Sequence, residues 1–183
     1  DLMDEIDWSD RLIGIKGTRG VGKTTFLLQY AKEKFGTDRS CLFINMNNFY
    51  FSGHSIVDFA YEFQRRGGKV LLIDQVFKYD GWSKELRMCY DRFPGLKIVF
   101  TGSSVMRLKE ENLELRDIVK SYNLRGFSFR EFLNLQTGMK FKAYTLDEIL
   151  RNHEQIAKGV LSKVKPLDYF QDYLHHGFYP FFL

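Results

Sequence analysis

The residues best suited to chemistry are Gly17-Thr18-Arg19-Gly20-Val21-Gly22-Lys23-Thr24. They fit G-x-x-x-x-G-K-[ST], the pattern of a loop that cradles phosphate. Several backbone N–H groups can converge on anionic oxygens only in a tight loop, and glycine permits the necessary turns. A helix opening at Thr24 would add its free amides and positive dipole end. In this reading Gly17, Gly20, Val21, Gly22, Lys23, Thr24 and Thr25 hold the phosphates of ATP. Lys23 brings positive charge to the terminal phosphates, and the Thr24 hydroxyl sits on Mg²⁺. The alternative is a chance match on a glycine-rich turn. A strand before the loop and a helix after it argue against chance.

A second candidate lies downstream in Val70-Leu71-Leu72-Ile73-Asp74-Gln75. An aspartate ending an apolar strand suits a magnesium site reached through water, at the sheet edge where open α/β folds bind ligands. Taken alone, Asp74 could equally cap a turn. ATPases of this type usually carry Glu next, to polarise the attacking water, but here the residue is Gln75. An amide takes no proton at neutral pH, so binding is expected to survive while hydrolysis is impaired. The swap is isosteric and the other parts are intact, which reads as an engineered trap for ATP; a naturally non-hydrolysing relative would look the same.

A third group, Thr101-Gly102-Ser103-Ser104, ends another apolar run. If its strand neighbours the acidic one, Thr101 or Ser103 could read the terminal phosphate or hold the water. Capping of a following helix explains Ser103 or Ser104 as well.

These residues require elements to position them. Strands are predicted at 11–16, 41–44, 70–73, 96–100 and 119–124, with helices at 24–35, 55–66 and 82–93. Such alternation implies a parallel sheet covered on both faces. The expected fold is therefore α/β, a three-layer P-loop sandwich with five parallel strands over residues 1–126. The final third changes character. Ser128 with Glu131, and Thr145 with Glu148, have capping-box spacing. Leu167, Phe170, Tyr173 and Leu174 read as one further helical face. A small helical lid is thus predicted over 127–183.

Composition sets the outer bounds. In 183 residues, 44% apolar and 27% charged content supports a globular core and excludes wholesale disorder. No apolar run approaches membrane-spanning length. Cys41 and Cys89 have no metal-type spacing, and with no signal peptide a reducing, cytoplasmic setting is expected; Cys41 reads as a buried structural thiol. The net charge of +4 permits a polyanion without requiring one. A first residue that is not Met, and the apolar ending Gly177-Phe178-Tyr179-Pro180-Phe181-Phe182-Leu183, suggest a piece of a longer protein.

Taken together, the segments 17–25, 72–76 with Trp82, 98–104 and 127–133 resemble prokaryotic AAA+-type ATPases of the archaeal-ATPase group. The resemblance implies a loop strand beside the Thr101 strand, with Thr101 or Ser103 as phosphate sensor. It also implies a helical lid and a separate C-terminal domain, absent here. The family's turn near the adenine looks similar to Gly177-Phe178-Tyr179-Pro180, placing Pro180 at the base, with Ile6 and Trp8 flanking it; core packing is the competing reading for these aromatics. Two adjacent arginines common before the fifth strand reduce here to Arg116, which leaves a trans-acting arginine in doubt.

Three functions compete: an ATP-driven motor or switch, a module that holds ATP without turnover, and a small-molecule kinase. No arginine cluster in 104–130 supports a kinase, and no guanine-reading Asn-Lys-x-Asp is present. Lys158, Lys163 and Lys165, like Arg65 and Arg66, read as solvated faces rather than nucleic-acid contacts. The nucleotide, a missing domain, and a homo-oligomeric or protein partner are the expected associations.

Overall fold

A computed structural model describes residues 2–103 and 112–180. The chain divides into two compact units, Asp1–Arg125 and Gly126–Leu183.

The first unit contains helix α1 (Leu2–Glu5), strand β1 (Leu12–Gly17), α2 (Lys23–Lys34), β2 (Cys41–Asn45), α3 (Ile56–Arg65), β3 (Val70–Asp74), α4 (Trp82–Arg92), β4 (Lys97–Ser103) and β5 (Lys120–Asn123). The five strands form one sheet in the order β2-β3-β4-β1-β5. Every neighbouring pair is parallel. The α/β architecture expected from the sequence is therefore present.

Strand β3 is buried along its whole length, because helices cover both faces. The alternation of side chains then builds two cores. Leu12, Leu71, Ile73, Ile98 and Phe100 face one way, against Ile56 and Ala60 of α3 and Leu86 and Cys89 of α4. Ile13, Ile15, Leu72 and Val99 face the other, against Phe26, Leu27 and Tyr30 of α2. Burial pushes the Cys89 thiol up to about 12 and that of half-buried Cys41 up to about 11, so neither is primed for reaction.

Ile6 and Trp8 belong to the second core. Ile6 is buried. Trp8 stacks on Tyr30 with ring centroids 3.8 Å apart, and its indole N–H donates to the Met3 carbonyl. Both residues pack with Phe26, Leu27 and Tyr30 of α2, the core-packing reading of these side chains.

The second unit comprises α5 (Phe129–Thr137), α6 (Leu146–Leu161) and α7 (Pro166–Asp172), the last continuing as a π-helical turn over Tyr173–Gly177. Both capping boxes form: Ser128 pairs reciprocally with Glu131, and Thr145 with Glu148. Helix α6 departs from helical geometry at Asn152. The expected face through Leu167, Phe170, Tyr173 and Leu174 forms only in part. Phe170 and Tyr173 pack on Phe129, and Tyr173 also reaches Phe132. Leu167 and Leu174 stand exposed. The change to i→i+5 bonding at Tyr173 shifts the 3.6-residue phase for Leu174, which follows it, whereas Leu167 lies before it on the first turn of α7.

Among the described residues, no helix is long and apolar enough to cross a membrane.

Candidate functional site

The loop between β1 and α2 takes the shape its glycines allow. Gly20 and Gly22 have φ of 89° and 93°, in the left-handed region. Gly17 faces a different constraint. A Cβ there would stand 2.6 Å from the Leu124 carbonyl oxygen and 2.9 Å from Val21 Cγ2, so any side chain would push β1 and the loop apart. Val21 is buried and anchors the turn.

Gly22 caps α2 without a side-chain acceptor, and no acidic residue occupies the first turn. The first amides of a helix have no intrahelical acceptor, and the first turn of α2 carries no acidic residue of its own; the Asp74 carboxylate meets it from outside, at the Thr24 hydroxyl. Free amides of this kind at a helix start suit an anionic ligand. Lys23 folds back across the loop, its Nζ donating to the carbonyls of Gly17 and Thr18 at 2.8 Å each. Burial lowers the Lys23 ammonium's pKa, and Asp74 pulls the other way.

The sheet order carries distant residues to this loop. β1 lies beside β4, with Gly17 opposite Ser103 and Ile15 opposite Thr101. β4 also lies beside β3, which brings Thr101 to Asp74. The Asp74 carboxylate is only 1% exposed, and three donors meet it. Thr101 Oγ1 donates to Oδ1 at 2.6 Å. Thr24 Oγ1 donates to Oδ2 at 2.8 Å, and Asn45 Nδ2 donates to the same oxygen at 3.0 Å.

Gln75 follows with φ 55° and ψ 47°, the single non-glycine residue with positive φ among those described. Such a conformation costs about 1–3 kcal/mol and marks a constrained position. The constraint is visible: the Gln75 N–H donates to Thr101 Oγ1 at 2.8 Å. One fully buried hydroxyl therefore ties the acidic residue to the one after it. Ser103, two residues on, sits at the strand end beside the loop. Ser104 lies outside the described residues.

A family model described as an AAA domain matches residues 9–133, about two thirds of the chain. This chain belongs to that AAA family. Membership makes the β1–α2 loop part of a nucleotide-binding, ATPase-like P-loop domain. No curated protein matches the chain.

Within this AAA domain the structure brings together Gly17, Gly20, Val21, Gly22, Lys23, Thr24, Asp74, Gln75, Thr101 and Ser103. Thr25 stands exposed on the first turn of α2. Pro180 belongs to the second unit, just beyond Gly177, whose Cα lies so close to the Phe132 ring that a Cβ would approach it to 2.7 Å. Phe181, Phe182 and Leu183 lie outside the described residues.

Asn45 was not singled out from the sequence. Its signal was a polar residue ending the apolar run 41–44, on a strand whose pairing with β3 sets it opposite Asp74. That pairing is a property of the sheet and cannot be read from spacing along the chain.

Proposed function

We propose that this chain binds ATP as its magnesium complex and turns it over slowly or not at all, as an AAA+-type ATPase domain of the archaeal-ATPase group. The observation that carries the reading is the 2.8 Å contact between Thr24 Oγ1 and Asp74 Oδ2 at the end of the glycine loop. It sets two hard oxygen donors beside a helix start that suits an anion. Among the described residues no cluster of three His, Cys, Asp or Glu side chains could hold a metal unaided. A hydroxyl and a carboxylate fit instead a magnesium ion that keeps several waters and takes its other ligands from phosphate.

In this reading Thr24 and Asp74 hold the ion, which when bound neutralises charge on the phosphate oxygens. Gly17, Gly20, Val21, Gly22 and Thr25 offer backbone amides to the phosphates. Lys23 exchanges its carbonyl partners for the terminal phosphate. Thr101 orients Asp74 and Gln75, and Ser103 reads the phosphate. Gln75 occupies the position of the general base without being able to accept a proton, so nucleotide is held rather than consumed.

Calorimetric titration of the protein with ATP, with and without Mg²⁺, tests the proposal. Binding is expected, tighter with Mg²⁺, and Lys23→Ala should weaken it by about tenfold or more, the loss of a charge-assisted contact. Absence of binding, or equal affinity in the variant, would overturn it.

A further inference from the structure

Asn45 occupies a position whose chemistry goes beyond the loop, the acid and its follower. Its amide orientation is unambiguous. The Asn47 backbone N–H donates to Asn45 Oδ1 at 2.8 Å, and a backbone N–H can only donate. The oxygen of the amide is therefore at that end, and its NH₂ group is the end that faces Asp74 Oδ2, 3.0 Å away. A second tie runs alongside, from the Met46 N–H to the Asp74 carbonyl at 3.0 Å. The exit of β2 thus grips Asp74 at both its side chain and its backbone.

The oxygen that Asn45 holds is the one that also accepts from Thr24. Thr101 holds the other. Donors from α2, β2 and β4 together leave the carboxylate no free rotation. The choice of an amide matters. A lysine at this point would neutralise Asp74, and a carboxylate would repel it. Asn45 orients the anion and leaves its full charge for a cation.

Resting on the reading of Thr24 and Asp74 as the magnesium pair, we propose that Asn45 is a positioning residue for the divalent cation of the nucleotide complex. It acts through Asp74, fixing Oδ2 against the Thr24 hydroxyl. It touches neither nucleotide nor metal.

The test uses ATP with Mn²⁺ as a spectroscopic stand-in for Mg²⁺. Free and bound Mn²⁺ are counted by electron paramagnetic resonance, and ATP affinity is measured separately in EDTA. In Asn45→Leu the ATP affinity in EDTA should stay within about twofold, while Mn²⁺ affinity at the ATP complex falls about tenfold, the loss of one hydrogen bond to a charged group. In an Asp74→Asn background the same change should add nothing, because the two residues act as one unit. Asn45→Ala gives the same comparison should the leucine not be accommodated. A wild-type protein that binds no Mn²⁺–ATP would defeat the magnesium-pair reading and this inference with it. A wild type that binds, with variants unchanged in Mn²⁺ affinity or with equal losses in EDTA, would defeat the role of Asn45 alone. Additive losses with Asp74→Asn would do the same.

Discussion

Thr101 and Asp74 are joined by a 2.6 Å hydrogen bond between the hydroxyl and Oδ1, on adjacent parallel strands, with both side chains out of solvent. The same hydroxyl accepts the Gln75 N–H at 2.8 Å. It therefore serves as donor and acceptor at once, and its removal leaves a buried carboxylate short of a partner and a backbone N–H with none.

Thr101→Val, which keeps the shape and deletes both bonds, should destabilise the protein by about 1–3 kcal/mol. Urea denaturation measures it. Thr101→Ser, with the hydroxyl restored, should recover most of the loss. Equal losses in the two variants would mean that packing of the methyl group, and not the hydroxyl, holds this point.

Gln75→Glu should leave ATP affinity within a few-fold and raise phosphate release by about 10²–10⁴, the contribution of a general base. Single-turnover release of inorganic phosphate is the measurement. The backbone at 75 is already held left-handed, so the new carboxylate needs no rearrangement to take its place. No gain would show that the chain is a holder of nucleotide by more than this one residue.

Glu148 gives a pH prediction. The Thr145 backbone N–H, then Lys142 and the Thr145 hydroxyl, hold its carboxyl down to about 2, below the ordinary 4.5. The folded value is depressed, so its stabilisation of the α6 cap is complete above about 4.5 and is lost as pH falls towards 2. Carbon-detected NMR titration of the Glu148 carboxyl should show its midpoint near 2, and Lys142→Ala should raise that midpoint. A midpoint near 4.5 in the wild type would mean the capping box does not persist in solution.

What was legible in the sequence was whatever depends on neighbours along the chain. The glycine loop, the apolar run ending at Asp74 and the two capping boxes are short-range patterns, and spacing alone located them. Trp8 was harder to read, because stacking on Tyr30 is decided by where α2 crosses the sheet. A regular 3.6-residue period does not carry through the change of bonding at Tyr173, so Leu174 leaves the expected face, while the exposure of Leu167 on the first turn of α7 depends on tertiary packing that spacing does not encode. Asn45 escaped notice for a different reason. Its meaning comes from standing opposite Asp74, 29 residues away, and only the order of strands supplies that fact.

The place of β1 in the sheet bears on how the protein is made. β1 is the first of these five strands in the chain, yet its partners are Lys97–Ser103 on one side and Lys120–Asn123 on the other. Contacts so distant in sequence form slowly, because the loop between them must close first. The glycine loop therefore spends the synthesis of about a hundred further residues without the neighbours that shape it, in keeping with the sequence separation of its pairings. The sheet around the loop is complete only once the first of the five strands is joined to the last. A nascent chain cut short before β4 would carry the whole loop motif but lack the strand that sets Thr101 and Ser103 beside it.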